Sequence, residues 1–254
     1  MASKRIRGFD LRQIKGRLGL IGVDEAGRGA LAGPVVAAAV LIDNGFLQSD
    51  WCRRHAGQIN DSKQLSVDQR ERLYSRMNWL MSEHRILFAS GMGSVEEIEQ
   101  VNILGATTLA MRRAILNVLR LGQIRAHAPD PLFDPVESSD LMPGECITDW
   151  RVLVDGRPVR NLGFPHRAFV EGDARSLVIA MASVVAKVTR DRLMDSLDSA
   201  YPDYGFSKHK GYGTDAHRHA LIAAGPTAMH RSLFIRKTLT AVEHEGQEVF
   251  QFAE

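Results

Sequence analysis

Two adjacent acids, Asp24 and Glu25, stand directly behind the apolar run Leu20-Ile21-Gly22-Val23. Asp155 likewise follows Val152-Leu153-Val154, and Asp173 closes the stretch RAFVEGD (167–173) just before a helical pattern. Acids delivered by the ends of neighbouring strands can converge on one point. Convergence is costly: at an effective dielectric near 20, two unit charges about 4 Å apart repel by roughly 4 kcal/mol. Such a cluster either shifts its pKa values or binds cations. Hard carboxylate oxygens suit Mg2+ or Mn2+. Two such ions about 4 Å apart can activate a water and stabilise the leaving oxygen of a phosphodiester. A single acid has a plainer reading, and Asp173 can simply cap the helix after it. The pair Asp24-Glu25 needs a partner charge, and Arg28, set between Gly27 and Gly29, is the nearest base in sequence.

The elements that must position these acids are legible as periodicities. Residues 19–24 and 34–42, rich in Val and Ile, read as two strands joined by a Gly-rich turn. Residues 85–90 and 151–156 read as further strands, as do 167–173. Ser66 can cap a helix reaching about His84. Ser94 and Glu97 match a capping box, and apolar residues recur at helical spacing from Asn102 to Leu121. A long helix is expected from Ser176 to about Ala200, with shorter ones over Asp215–Ala224 and Thr227–Leu239. This order predicts one mixed α/β core with a helical C-terminal part.

The 254 residues suffice for a sizeable core. Lys and Arg (32) exceed Asp and Glu (30) by 2, so the chain as a whole is no polycation. Charge is local instead. Between Tyr201 and Lys237 six bases and four histidines (His209, His217, His219 and His230) face only Asp203 and Asp215, a balance that suits a polyanion. Residues 127–149 carry Pro129, Pro131, Pro135, Pro143 and six acids with no Lys or Arg, which reads as an exposed acidic loop rather than a metal site. Cys52 and Cys146 form no CxxC pair or disulfide framework. The basic N-terminus leads into no apolar signal region, and no run is long enough to span a bilayer. A soluble cytoplasmic protein is expected.

At this point the residues resemble a known family. GVDEAGRGALAGPVVAAAV (22–40) is similar to the N-terminal signature of type 2 ribonuclease H (ribonuclease HII). The likeness continues in order through DSKQLS (61–66), EEIEQVNILGATTLAM (96–111), LVDG (153–156), GDARSLVIAMASVVAKVTRDRLM (172–194), YPDYGFSKHKGYGTDAHRHALIAAGP (201–226) and HRSLF (230–234). It implies an RNase H-like fold: a central mixed sheet flanked by helices, with a helical C-terminal extension. The expected division is a leading segment 1–18, a catalytic domain 19–200 with an acidic insertion near 122–149, and a C-terminal part 201–254.

The resemblance also implies an endonuclease. It would cut RNA paired with DNA and incise 5′ of ribonucleotides embedded in duplex DNA, leaving 5′-phosphate and 3′-hydroxyl ends, and so remove misincorporated ribonucleotides and RNA primers. The family's four acids fall on Asp24, Glu25, Asp155 and Asp173, expected to hold two divalent cations, Mn2+ or Mg2+. Gly27, Arg28 and Gly29 fall on the loop whose backbone reads the 2′-hydroxyl, the group that separates RNA from DNA. For Gly27 and Gly29 a tight turn is the plain reading, and the two are compatible. Tyr212, in the family's KGY motif, is expected to pack on the sugar beyond the ribonucleotide; read alone, it is a core tyrosine. Lys63, Lys187, His209 and Lys210 sit in matching motifs and are expected to contact phosphates, with snorkelling from the core as the alternative for Lys187. Ala30 and Met181 depart from the residues usual at their places. The tail segment QEVFQF (247–252) resembles a sliding-clamp peptide. A monomer is expected. Two rivals stay open: a nuclease of the same fold with another substrate, and a non-catalytic hybrid-binding module.

Overall fold

The computed structural model describes residues 2–59, 65–124, 149–236 and 238–239, with side chains from residue 6 onward. Lys63, residues 127–148 of the acidic stretch and the segment 247–252 lie outside the described residues. In chain order the elements are α1 (Ala2–Gln13), β1 (Gly19–Ala26), β2 (Val35–Asp43), α2 (Asn44–Gln48), α3 (Asp50–His55), α4 (Val67–Ser82), β3 (Leu87–Gly93), α5 (Val95–Leu121), β4 (Trp150–Asp155), β5 (His166–Phe169), α6 (Gly172–Arg175), α7 (Leu177–Ala200), α8 (Phe206–His209) and α9 (Asp215–Ala224).

Contacts divide the chain into two compact units. The first comprises Met1–Ala26, Val36–Met92 and Thr107–Thr189. The second comprises Gly27–Val35, Gly93–Ala106 and Arg190–Glu254.

The five strands form a mixed sheet in the order β3-β2-β1-β4-β5. β1 runs antiparallel to β2 and parallel to β4, and β4 runs parallel to β5. β1 and β2 are buried almost end to end, as their continuous apolar composition requires of strands covered on both faces. In the first unit Leu20, Val40 and Leu153 pack with the apolar face of α7, from Leu177 to Val188, and with Leu73, Met77 and Leu80 of α4. Gly22 is required for this packing. A Cβ there would come within 2.4 Å of the Val178 carbonyl carbon. Only glycine lets α7 lie that close to β1.

The capping boxes are present. Ser66 and Gln69 bond reciprocally at the start of α4, and Ser94 and Glu97 do so at the start of α5. The sequence reading began this second helix at Asn102. That helix does start there: α5 joins two helices across a kink at Asn102 (φ 60°), the first of them beginning at Val95. The Asn102 side chain accepts from Leu104 and Gly105 N–H and so caps the segment that follows. Two boundaries differ. β5 stops at Phe169 rather than reaching Asp173, because Glu171 turns left-handed at φ 54° and starts the one-turn helix α6. The helix expected over Thr227–Leu239 is confined to residues 232–236 and 238–239. Its first residues are held in a turn by Thr227 bonding His230, and His230 bridges to Ala32. Helix α1 was not read from the sequence. Among the described residues no helix is long and apolar enough to cross a membrane.

α1 contributes one buried acid. Asp10, fully buried, accepts from Val178 N–H at 3.0 Å and so caps the start of α7 from a distant helix. Burial raises its pKa from 3.8 to about 7, against the opposing pull of Ser176 and the α7 amides. The folded protein therefore keeps this proton where the unfolded chain has released it. The stability this group contributes is complete below about pH 4 and is lost as pH rises toward 7. Urea unfolding at several pH values should find Asp10→Asn gaining on the wild type by on the order of 4 kcal/mol between pH 4 and pH 7. A difference independent of pH would show that Asp10 does not titrate in this window.

Candidate active site

Strand register brings the first acids together. β1 and β4 are aligned from Gly19 beside Trp150 to Val23 beside Val154. One more step along both strands sets Asp24 beside Asp155, on strands spaced about 4.8 Å apart. Asp24 does not end its strand, as the sequence suggested; β1 continues to Ala26. Across the antiparallel side Asp24 and Glu25 face Ala38 and Ala37, whose small side chains leave room for carboxylates. Glu25 N–H donates to Asp24 Oδ1 at 2.7 Å.

Asp24 is 4% exposed. Its pKa is pushed well up, first by burial and then by the charges of Glu25 and Asp155; hydrogen bonds from the Ser183 side chain and the Glu25 amide oppose the shift. Ser183 comes from α7, the helix that Gly22 admits. Gly22 and Asp24 lie two residues apart and so project to one face of the sheet. Close packing at the first thus brings a hydroxyl to the second. The sequence offered no signal for Ser183 beyond its place on an apolar helix.

Asp155, half-buried at the end of β4, accepts from Gly172 N–H at 2.7 Å. That bond ties the start of α6 to the acid strand. A Cβ on Gly172 would lie 2.8 Å from Ile179 Cδ1 and 3.1 Å from Asp155 Oδ1, so any larger residue here must displace side chains beside the acid. Asp173, next in the chain, is 3% exposed and accepts from Ala174 N–H at 3.0 Å. It sits in the first turn of α6, not at a strand end. The start of the long helix α7 is bonded by Asp10 and Ser176 instead, so Asp173 does not cap it. Among the described residues no three Asp, Glu, His or Cys side chains close into a cage that would hold an ion unaided. This donor set still suits Mg2+ or Mn2+. Such ions retain several waters and take only one or two carboxylates before substrate phosphate oxygens complete the shell. Asp24, buried among like charges, is the position that most gains from a cation.

The second unit carries most of the other predicted residues. Gly27 takes φ 93°, and Ala30 N–H bonds back to its carbonyl to close a tight turn. A Cβ on Gly27 would fall 2.0 Å from Arg190 Nε, whereas one on Gly29 would meet nothing within 4 Å. The two glycines therefore differ: Gly27 is demanded by the fold, and Gly29 borders open space. Arg28 is exposed, and its carbonyl accepts from Arg231 at 3.0 Å. Tyr212 is half-buried, with the Arg190 guanidinium 5.2 Å from its ring centroid. Lys210 pairs with Asp195. Lys187, in the first unit, is half-buried on α7, in keeping with a snorkelling stem.

His209 is committed to the protein. Its Nε2 donates to the Tyr204 carbonyl at 2.7 Å, and its Nδ1 accepts from Gly211 N–H at 3.2 Å. His217 Nδ1 donates to the Tyr212 carbonyl at 3.0 Å, and its Nε2 meets His230 Nε2 at 3.1 Å. His230 Nδ1 accepts from Thr227 N–H, so His230 Nε2 carries the proton shared with His217. The partners thus fix a neutral tautomer for each ring. Burial lowers the pKa of both inner rings, His230 to about 4. Arg190 and Arg231 are also fully buried. In the sequence, His217, His230 and Arg231 counted toward a basic surface. The structure corrects that: they are interior groups, His217 holding the Tyr212 carbonyl, His230 bonded to His217 and Thr227, and Arg231 bonded to Gly33 and Arg28.

The family model described as Ribonuclease HII matches residues 21–130 and 136–237. The chain is 42% identical over 228 residues to the ribonuclease HII of Fusobacterium nucleatum, covering 89% of this chain and 90% of that one. The crystal structure of ribonuclease H2 from Pyrococcus horikoshii OT3 superposes with a TM-score of 0.59 at 23% identity, over 87% of this chain and 96% of that one. That of Bst-RNase HIII in complex with Mn2+ gives 0.55 at 16% identity, over 96% and 73%.

If a cation relieves the crowding around Asp24, its effect is measurable without substrate. Mn2+ should raise the melting temperature of the wild type. Asp24→Asn, freed of a buried like charge, should melt higher than the wild type without metal at pH 8 and lose most of the Mn2+ shift. An undiminished Mn2+ shift in Asp24→Asn would remove Asp24 from the ion site.

Proposed function

The chain belongs to the ribonuclease HII family of hydrolytic endonucleases, and from that premise we propose that it cuts the phosphodiester on the 5′ side of a ribonucleotide paired with DNA. Its substrates are then RNA–DNA hybrids and duplex DNA carrying single ribonucleotides, and its role is to clear misincorporated ribonucleotides and RNA primers. The observation that carries the reading is the register that sets Asp24 beside Asp155, with Glu25 next in the chain and Ser183 bonded to Asp24. Carboxylates crowded this way favour a cationic guest over mutual repulsion.

Asp24, Glu25, Asp155 and Asp173 are the residues that would hold two divalent ions, Mn2+ or Mg2+. Bound there, the ions supply an acidified water and positive charge for the departing 3′ oxygen. The chain's own groups prepare the place. Ser183 and the Glu25 amide fix the Asp24 carboxylate, and the Gly172 amide fixes that of Asp155. Preorganised ligands of this kind need no rearrangement as charge develops.

The turn Gly27-Arg28-Gly29 reads the 2′-hydroxyl with its backbone. Its first residue is two positions beyond Glu25, so the covalent chain alone limits their Cα separation to about 7 Å. Tyr212 offers an aromatic face to the neighbouring sugar. Lys63, Lys187 and Lys210 are proposed phosphate contacts, with Asp195 competing for the last. His209 acts by holding the loop before Tyr212 rather than by touching phosphate. Residues 247–252 are the proposed contact for a sliding clamp.

Two experiments test this reading. A duplex with one ribonucleotide should be cut on its 5′ side in Mn2+ or Mg2+, and Asp24→Asn should lower kcat by roughly 10²–10³-fold or more. No incision beside a lone ribonucleotide would favour a hybrid-only or junction nuclease of the same fold. Gly29→Ala probes recognition. Its Cβ meets no protein atom, so stability should stay within about 0.5 kcal/mol, while preference for ribose over deoxyribose falls. Unchanged preference would take the turn out of sugar recognition.

A further inference from the structure

Among the described residues the two largest fully buried side chains are both cationic: Arg190 and Arg231. Buried guanidiniums are rare and lose several kcal/mol of hydration each, so a fold keeping two needs a compensating arrangement. Their hydrogen bonds run to backbone carbonyls, all but one of them on the segment 28–34. Arg190 donates to Pro34 (3.1 Å), Ala32 (3.1 Å) and Lys210 (2.9 Å). Arg231 donates twice to Gly33 (2.9 and 2.7 Å) and once to Arg28 (3.0 Å). The segment cannot form a regular ladder, because Gly27, Gly33, Lys210 and Gly211 all take positive φ. Rigid forked donors fill the role that strand neighbours play elsewhere.

One bond has a directional consequence. A trans peptide is planar, with its C=O and N–H pointing opposite ways. The Arg28 carbonyl is drawn inward to Arg231. The N–H of the same peptide unit, that of Gly29, must then point outward, and it does so where an added Cβ on Gly29 meets only open space. Arg190 reaches a second segment: it holds the Lys210 carbonyl and lies against the Tyr212 ring.

We propose that Arg231 and Arg190 are positioning residues for ribose recognition, Arg231 by aiming the Gly29 amide outward and Arg190 by holding Tyr212 and the turn in register. Neither need touch the nucleic acid. The proposal rests on the reading that the Gly27–Gly29 turn senses the 2′-hydroxyl. It adds which interior groups make that sensing precise.

The test is Arg231→Lys and Arg190→Lys in the full chain, each assayed on duplexes bearing one ribonucleotide or its 2′-fluoro analogue. Lysine keeps the charge and loses the fork. For Arg231→Lys, kcat on the ribonucleotide should fall about 10- to 100-fold through misplacement of the sugar. The 2′-hydroxyl to 2′-fluoro ratio should collapse toward one, KM should change about twofold because phosphate contacts dominate affinity, and the Mn2+ melting shift should persist. Folded variants that keep the wild-type ratio overturn the proposal. If the wild type itself shows no ratio, the underlying reading has failed instead. Hydrogen exchange on the wild type covers variants that do not fold: the Leu31, Ala32 and Gly33 amides, bonded to the Gly211 and Met229 carbonyls, should be among the slowest of the second unit. Rapid exchange there overturns the clamp outright.

Discussion

The side-by-side placement of Asp24 and Asp155 is the constraint on which the first unit depends. Parallel pairing of β1 with β4 determines it, and a slip of one residue would turn Asp24 to the opposite face of the sheet. Neighbouring features follow. Alanines oppose the acids on β2, Gly22 admits α7, and α7 supplies Ser183. Mutual repulsion and burial both raise the Asp24 pKa, so this arrangement works against folding until a cation joins it. Stability elsewhere, in the apolar contacts of β1, β2 and α7, must carry that strain.

The second unit solves a related problem with the opposite charge. Arg190 and Arg231 are as buried as Asp24, yet their forks are satisfied by carbonyls rather than by counter-ions. Acids left needing a cation form a place for chemistry. Cations fully engaged by the backbone form a scaffold. The neutral histidines extend that scaffold: His217 holds the Tyr212 carbonyl and His209 receives the Gly211 amide. Lowered pKa values suit the task, because a second proton on His217 would set two N–H groups against each other across its contact with His230.

Much of this was legible in local sequence. The strand signals at 19–24, 34–42 and 151–156 correspond to β1, β2 and β4, the capping box read at Ser94 and Glu97 is formed, and Ser66 caps α4 as expected. The misreadings share a cause. RAFVEGD opens with strand residues, but at the sheet edge the chain turns at Glu171. Thr227 to Leu239 reads as helix, but its first residues turn at Thr227–His230 and His230 bridges to Ala32 instead of continuing a helix. α1 is amphipathic only in relation to a partner, since the burial of Ile6, Phe9 and Asp10 is defined by what covers them.

The amino-acid order by itself determined the four acids, the glycine-flanked arginine, the strands carrying most of them and the family, because these depend on residue type and short spacing. Tertiary structure alone decided that Asp24 aligns with Asp155, that Gly27 and Gly29 are not equivalent, and that Arg190, Arg231, His217 and His230 are interior. The reason is one of range. A charge written in a sequence has no environment, and whether it faces water, a carbonyl or another charge is settled by residues more than a hundred positions away, as Arg231 is from the Arg28 carbonyl it holds.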